Sequence, residues 1–265
     1  MCDITVLLDS SKLTNQDSDN YEVYLSRPLE LKNYPHEIAM KSLYTWFTWF
    51  NIHKADYDNA TFRYYNGTAW KQFDIPNGNY NAEELNDAIH EGMEALTDVI
   101  VDVVTGEKTY NINIVPVYSQ IKMKIQIANS FQVDLTISRL NELLGFTQAI
   151  VNATSLGSSN ANITNGVNTM VLHCNICSGS SYDNSNASDI LYTFVPSVPP
   201  GSNISITPSQ PVYVPIDRMD RIDRIGVKLT DQRGRKISLN GENMTVWLHI
   251  RPRKVLQVGG YNSRI

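Results

Sequence analysis

The sequence is short of cysteine, of charge and of long apolar runs, and each shortage excludes something. Among 265 residues there are three cysteines, Cys2, Cys174 and Cys177. They are too few and too unevenly spaced for a disulfide framework, so synthesis in a reducing compartment is expected. Charged residues make up 18%, below the roughly 25% of an average soluble domain, and Asn, Ser and Thr fill the gap. No apolar run approaches the roughly 18–20 residues of a spanning helix, so no membrane span is expected. Bulk disorder is excluded too, because 42% of the residues are hydrophobic and the net charge is only −5. The opening MCDITVLLDSSK has no basic segment leading into an apolar stretch, and no secretory signal is read there. The seven Asn-x-Ser/Thr sequons, at Asn59, Asn66, Asn152, Asn162, Asn186, Asn203 and Asn243, are therefore expected to stay unmodified.

Chemistry-bearing motifs are missing as well. There is no P-loop, no GxGxxG, no HExxH and no GxSxG. No two of the five histidines lie closer than 17 residues in sequence, so no local ligand pair forms. His173-Cys174-Asn175-Ile176-Cys177 comes nearest to a metal motif. If NTMVLHCNIC is one strand, residues three apart point to opposite faces, and Cys174 and Cys177 neither share a metal nor close a disulfide unless a bulge intervenes. Glu83, Glu84 and Asp87 open a helix, where negative charge suits the dipole. No catalytic residue, metal ligand or cofactor is assigned.

What is present is alternation. Met244, Val246, Leu248 and Ile250 share one strand face, and Thr245, Trp247, His249 and Arg251 share the other. Ile225, Val227 and Leu229 alternate likewise before the turn Asp231-Gln232-Arg233-Gly234, which predicts a hairpin over 224–239. Asn66-Gly67 predicts a second hairpin. About ten strands result, at 3–9, 21–31, 37–50, 61–65, 70–74, 110–116, 121–128, 168–177, 190–195 and two or three within 212–250. Many short antiparallel strands argue for a sandwich or barrel. Helix is confined to 81–96, opened by an Asn81–Glu84 capping box, and to 139–144, with Ser138 as cap and Gly145 as stop. The polar stretches 147–167, 178–189 and 196–211 read as loops.

Two features point at binding. Tyr44-Thr45-Trp46-Phe47-Thr48-Trp49-Phe50 sets large aromatics on both faces of one predicted strand, so one face needs a cover. Trp46, Phe47, Trp49 and Phe50 are the candidates for a subunit interface. Charge is also divided. Residues 1–216 carry 11 Lys+Arg and 22 Asp+Glu, and residues 217–265 carry 11 and 5. Arg251, Arg253 and Lys254, directly after the last strand, are candidates for facing a genome or an acidic partner. A solvated tail is the plainer reading of the same residues.

Several segments, in order, resemble one family. They are Phe73-Asp74-Ile75-Pro76-Asn77-Gly78-Asn79-Tyr80-Asn81 with Glu84-Leu85, then Leu140-Asn141-Glu142-Leu143-Leu144-Gly145-Phe146, then Met170-Val171-Leu172-His173-Cys174-Asn175-Ile176. Val212-Tyr213-Val214-Pro215-Ile216 and Val246-Trp247-Leu248-His249-Ile250-Arg251 complete the series. Over roughly residues 70–255 the chain resembles the penton, or minor capsid, proteins of Polinton/Maverick elements, adintoviruses and virophages. The resemblance implies an all-β single jelly roll, two four-stranded antiparallel sheets on one core, over 1–255, with a polar and basic tail at 256–265. It further implies a structural virion protein at the capsid vertex, a homopentamer contacting a major capsid protein of double-jelly-roll type. DNA contact through the basic carboxy-terminal residues is the lesser expectation. A receptor- or glycan-binding β-sandwich is the alternative, with Trp46, Trp49 and Trp70 as sugar-stacking rings.

Overall fold

The alternating segments near both ends of the chain form strands, and they pair with each other. The computed structural model describes residues 3–13, 17–31, 35–163, 167–177, 181–183, 186–216 and 221–253. Eight strands follow in chain order: β1 Ile4–Asp9, β2 Asn20–Glu30, β3 His36–Trp46, β4 Met170–Cys174, β5 Ile190–Phe194, β6 Asn203–Ile206, β7 Arg221–Asp231 and β8 Thr245–Pro252. One sheet has the order β1-β8-β3-β6, with the short Val214–Pro215 also pairing β3, and the other has the order β5-β4-β7-β2. All these pairings are antiparallel. Except between β4 and β5, each successive strand crosses to the opposite sheet. That alternation is a jelly roll, and the fold is all-β and jelly-roll-like as expected.

Period-two burial explains the pairing. Val6 and Leu8, Ile38, Met40 and Leu43, and Val246, Leu248 and Ile250 are buried in the first sheet. Tyr21, Met170, Leu172, Ile225, Val227 and Leu229 are buried in the second. Burial holds the Tyr21 phenol neutral by pushing its pKa up, and its hydroxyl donates to the Met244 carbonyl at 3.0 Å. A register shift at Trp247/Leu248 lets β8 pair with Ser42 and then Met40. The bulge leaves Lys41 as the extra residue and keeps both Leu43 and Met40 inward.

Where the sequence reading takes 1–255 as one domain, the chain divides into two compact units, 1–48 with 168–265, and 49–167. The second unit lies in sequence between β3 and β4, and it has its own core. Ile52, Phe62, Tyr64, Ile75, Leu85, Ile89, Met93, Ile114, Ile125, Val133 and Leu144 are buried there. A four-stranded sheet orders Ile150–Val151, Gln132–Asp134, Thr61–Tyr65 and Trp70–Asp74, and a three-stranded sheet orders Ser155–Leu156, Lys122–Ile127 and Ile112–Val117. Both expected helices belong to this unit, as Ala82–Ala95 and Leu140–Leu144. The capping box forms: Asn81 Oδ1 accepts from the Glu83 and Glu84 amides, and Glu84 Oε2 accepts from the Asn81 amide.

Four local expectations are corrected. Arg139 rather than Ser138 takes the cap position, and the Ser138 hydroxyl donates to the Thr61 carbonyl at 2.8 Å while accepting only a long 3.4 Å bond from the Leu140 amide. The 224–239 hairpin reduces to β7 and a single Thr230–Lys236 bridge. There the Asp231 carboxylate takes the Arg233 and Arg235 amides and the Arg235 guanidinium, replacing the return strand. The 37–50 strand ends at Trp46. The supposed loops contain strand: β6 within 196–211, Ile150–Val151 and Ser155–Leu156 within 147–167, and the hairpin Ser181–Asp183/Asn186–Ser188 within 178–189. Their Asn and Ser content hid these pairings, since backbone ladders need no apolar side chain.

Candidate interaction surfaces

Ending β3 at Trp46 sorts the aromatic run. Leu43 and Thr45 point inward, so Tyr44 and Trp46 point out, and each is 40% exposed. Trp247, between buried Val246 and Leu248, faces the same way at 39%, and Leu7 does so at 42%. The register makes them neighbours. Leu7 is opposite Trp247, Trp247 is opposite Ser42, and Tyr44 is opposite Thr245. On the other flank Ser205 and Asn203 lie opposite Tyr44 and Trp46. The outer face of the first sheet thus carries a contiguous apolar strip across three strands.

Of the four interface candidates, Trp46 alone belongs to this strip. Phe47 is half-buried, its amide donating to the Ser202 carbonyl at 2.9 Å. Trp49 is buried at 3%, and Phe50 stacks on His53 with centroids 6.1 Å apart. Both fall in the second unit, where the alternation has stopped. For a sugar-stacking reading, Trp49 is removed by its burial, and Trp70 has the Arg63 guanidinium 4.9 Å from its ring centroid and Tyr65 at 5.6 Å. Leu7, Tyr44 and Trp247 are not among the four candidates read from sequence, although Tyr44 opens the aromatic run. The parity of β8 alone puts Trp247 opposite the core, and that was the available signal.

A polar cluster continues the same face. Arg251 Nε donates to Glu37 Oε1 at 2.7 Å, and its guanidinium lies 3.4 Å from the Tyr213 ring centroid. The Glu37 hydrogen bond raises the Arg251 pKa further. Tyr213 Oη lies 2.7 Å from His249 Nδ1, and Asp3 lies 3.5 Å from His249 Nε2. Arg251 is therefore engaged rather than part of a loose tail. Arg253 is exposed, its amide donating to the Pro35 carbonyl at 2.8 Å. Lys254 lies outside the described residues. Other bases of this half are also paired: Arg221 with Asp223, Arg224 with Glu22, Arg235 with Asp231 and Lys236 with Asp17. Among the described residues, Arg221, Arg224, Arg235, Lys236 and Arg251 thus each have an acidic partner where they sit.

The remaining titratable constellations are structural in their geometry. His173 Nδ1 is 2.7 Å from Asp189 Oδ1 and its Nε2 is 2.9 Å from Thr230 Oγ1. This is the spacing of a hydroxyl–imidazole–carboxylate relay. Thr230 is 1% exposed, so no substrate reaches its hydroxyl, and the array ties β4 and β7 to the residue before β5. In the second unit, burial lowers the His90 pKa. Its ring stacks on Tyr110 with centroids 3.7 Å apart. The hydrogen bond to Glu94 pushes the Tyr110 phenol up to about 12. Among the described residues, no group of three or more His, Cys, Asp or Glu side chains is placed to hold a metal ion. No described helix is long and apolar enough to cross a membrane.

No family model and no curated protein matches the sequence. The fold does match a solved structure. It is similar to the crystal structure of the mavirus penton protein, with 10% identity, a TM-score of 0.50, and coverage of 95% of this chain and 100% of that one. The chain therefore has a penton-like fold.

Proposed function

We propose that the chain is a structural capsid subunit of the penton type, a virion component that forms a pentamer at fivefold vertices and contacts a major capsid protein of double-jelly-roll type. The observation that carries this reading is the jelly-roll strand order combined with the penton match over nearly the whole chain. A cyclic pentamer needs two different surfaces on each subunit that meet head to tail and close. The strip of Leu7, Tyr44, Trp46 and Trp247 supplies one of them, since an apolar patch rimmed by the polar Glu37–Arg251–Tyr213–His249 cluster has the anatomy of an interface. The role asks for recognition and not for chemistry.

Mass in solution tests the proposal. Light scattering or native mass spectrometry should find a species of five times 29.9 kDa, about 150 kDa, either alone or on mixing with the major capsid protein. A stable trimer, or a monomer that also fails to bind that partner, overturns it. DNA contact through Arg251, Arg253 and Lys254 is the minor part of the proposal. Neutralising all three should reduce genome retention in assembled particles, and unchanged retention removes that part.

A further inference from the structure

Cys174 and Cys177 do not lie on one strand. β4 ends at Cys174, and residues 174–177 form a turn closed by the Cys177 amide donating to the Cys174 carbonyl at 3.0 Å. A turn closed from i to i+3 holds its end Cα atoms within about 7 Å. An unstrained disulfide spans roughly 4.4–6.8 Å between the same atoms. The opposite-face argument against pairing therefore lapses.

The turn is also held in place. The Cys174 amide donates to the Asp189 carbonyl at 2.9 Å, and the Asn175 amide donates to the Gly226 carbonyl at 3.1 Å. Asn175 Oδ1 accepts from the Gly226 amide at 2.8 Å. Cys177 forms an antiparallel bridge with Ile216. Both side chains are enclosed, at 0% and 4% exposure, and no disulfide joins them. No third and fourth ligand accompanies them among the described residues. The turn therefore sets the two cysteines at a Cα separation suited to a disulfide, with Cys177 the less enclosed of two buried side chains.

We propose that Cys174 and Cys177 are a two-electron oxidation site that closes to an intrachain disulfide with a peroxide as oxidant. The Cys177 thiolate attacks one peroxide oxygen, the O–O bond breaks, and a sulfenic acid and hydroxide result. The Cys174 sulfur then attacks the sulfenic sulfur. The S–S bond forms, the S–O bond breaks, and the departing hydroxide takes the Cys174 proton as water. Two thiols and one hydrogen peroxide give one disulfide and two waters. The bond staples the end of β4 to the residue bridging Ile216, so it fastens a local junction of the jelly roll. This site stands independently of the capsid reading.

The test uses the full-length folded protein. After exposure to hydrogen peroxide and quenching with catalase, the protein is denatured, alkylated with iodoacetamide and digested. The segment carrying 174–177 should be about 2 Da lighter, refuse both alkyl groups, and accept two after reduction. In Cys174→Ser the reaction should stop at Cys177 and be trapped by dimedone. Two alkyl groups taken up after peroxide without reduction, a disulfide to Cys2 instead, or oxygen added to both sulfurs would each overturn the proposal.

Discussion

Removing the outer tryptophans should separate assembly from folding. Trp247 and Trp46 each leave about two-fifths of the side chain exposed. A tryptophan surface of roughly 250 Å² then offers about 100 Å² to a neighbour. At ~25 cal/mol per Å² that is about 2.5 kcal/mol per contact, or ~60-fold in association. Trp247→Ala removes this area while Val246, Leu248 and Ile250 stay in the core. Sedimentation velocity over a concentration series should show the association midpoint shifted by one to two decades, and the melting temperature of the subunit should also fall, because the remaining three-fifths of the Trp247 surface is already packed within the subunit. Leu248→Ala is the opposing control. Its side chain is fully buried, so it should cost ~2–5 kcal/mol of stability. An assembly midpoint unmoved in Trp247→Ala, or one moved equally far in Leu248→Ala, refutes the assignment of that face.

Three further outcomes follow from the second unit. Gly92→Ala usually stabilises a helix by about 1 kcal/mol, but an added Cβ here would lie 2.1 Å from Phe73 Cε2. Thermal melting should therefore show destabilisation, and a raised melting point would contradict that contact. Asn81→Ala removes the acceptor of two amides and should cost ~0.5–2 kcal/mol by chemical denaturation. His90 is held below the usual imidazole value by burial. The unfolded chain therefore binds its proton first, and stability is complete above about pH 6.5 and falls as pH drops below it. The loss of melting temperature between pH 7.5 and 5.5 should be smaller in His90→Phe than in the parent, and an equal loss would exclude His90 as a source.

Legibility in the sequence followed the strength of local signals. β1 and β8 alternate cleanly because each has one face in a core and one outside it, whereas in β7 Gly226, Thr230 and Asp231 are buried beside the apolar face. The Asn81–Glu84 box and Gly145, at φ +75°, state their helix ends in their own residue types. The aromatic run of 44–50 defeated the same reasoning. Apolar residues continue past Trp46 although the strand does not, so periodicity assigned faces to Phe47, Trp49 and Phe50 where no strand exists. The two-unit division left no composition shift at Thr48 or Asn168. The Cys174–Cys177 turn was masked by the alternation that leads into it. Leu7 and Trp247 become neighbours through a pairing between opposite ends of the chain, which no local window contains.

That pairing also sets an order of events during synthesis. β8 sits between β1 and β3, and Ile4 meets Ile250. The first sheet therefore lacks one of its inner strands until Thr245–Pro252 has left the ribosome. Residues 49–167 hold a complete core of their own and emerge well before that moment. Domains generally fold as units during synthesis, and long-range pairings are slow to form. A nascent chain halted just before Thr245 should thus present a folded second unit joined to an unfinished jelly roll, with β1 and β3 both lacking the strand that separates them.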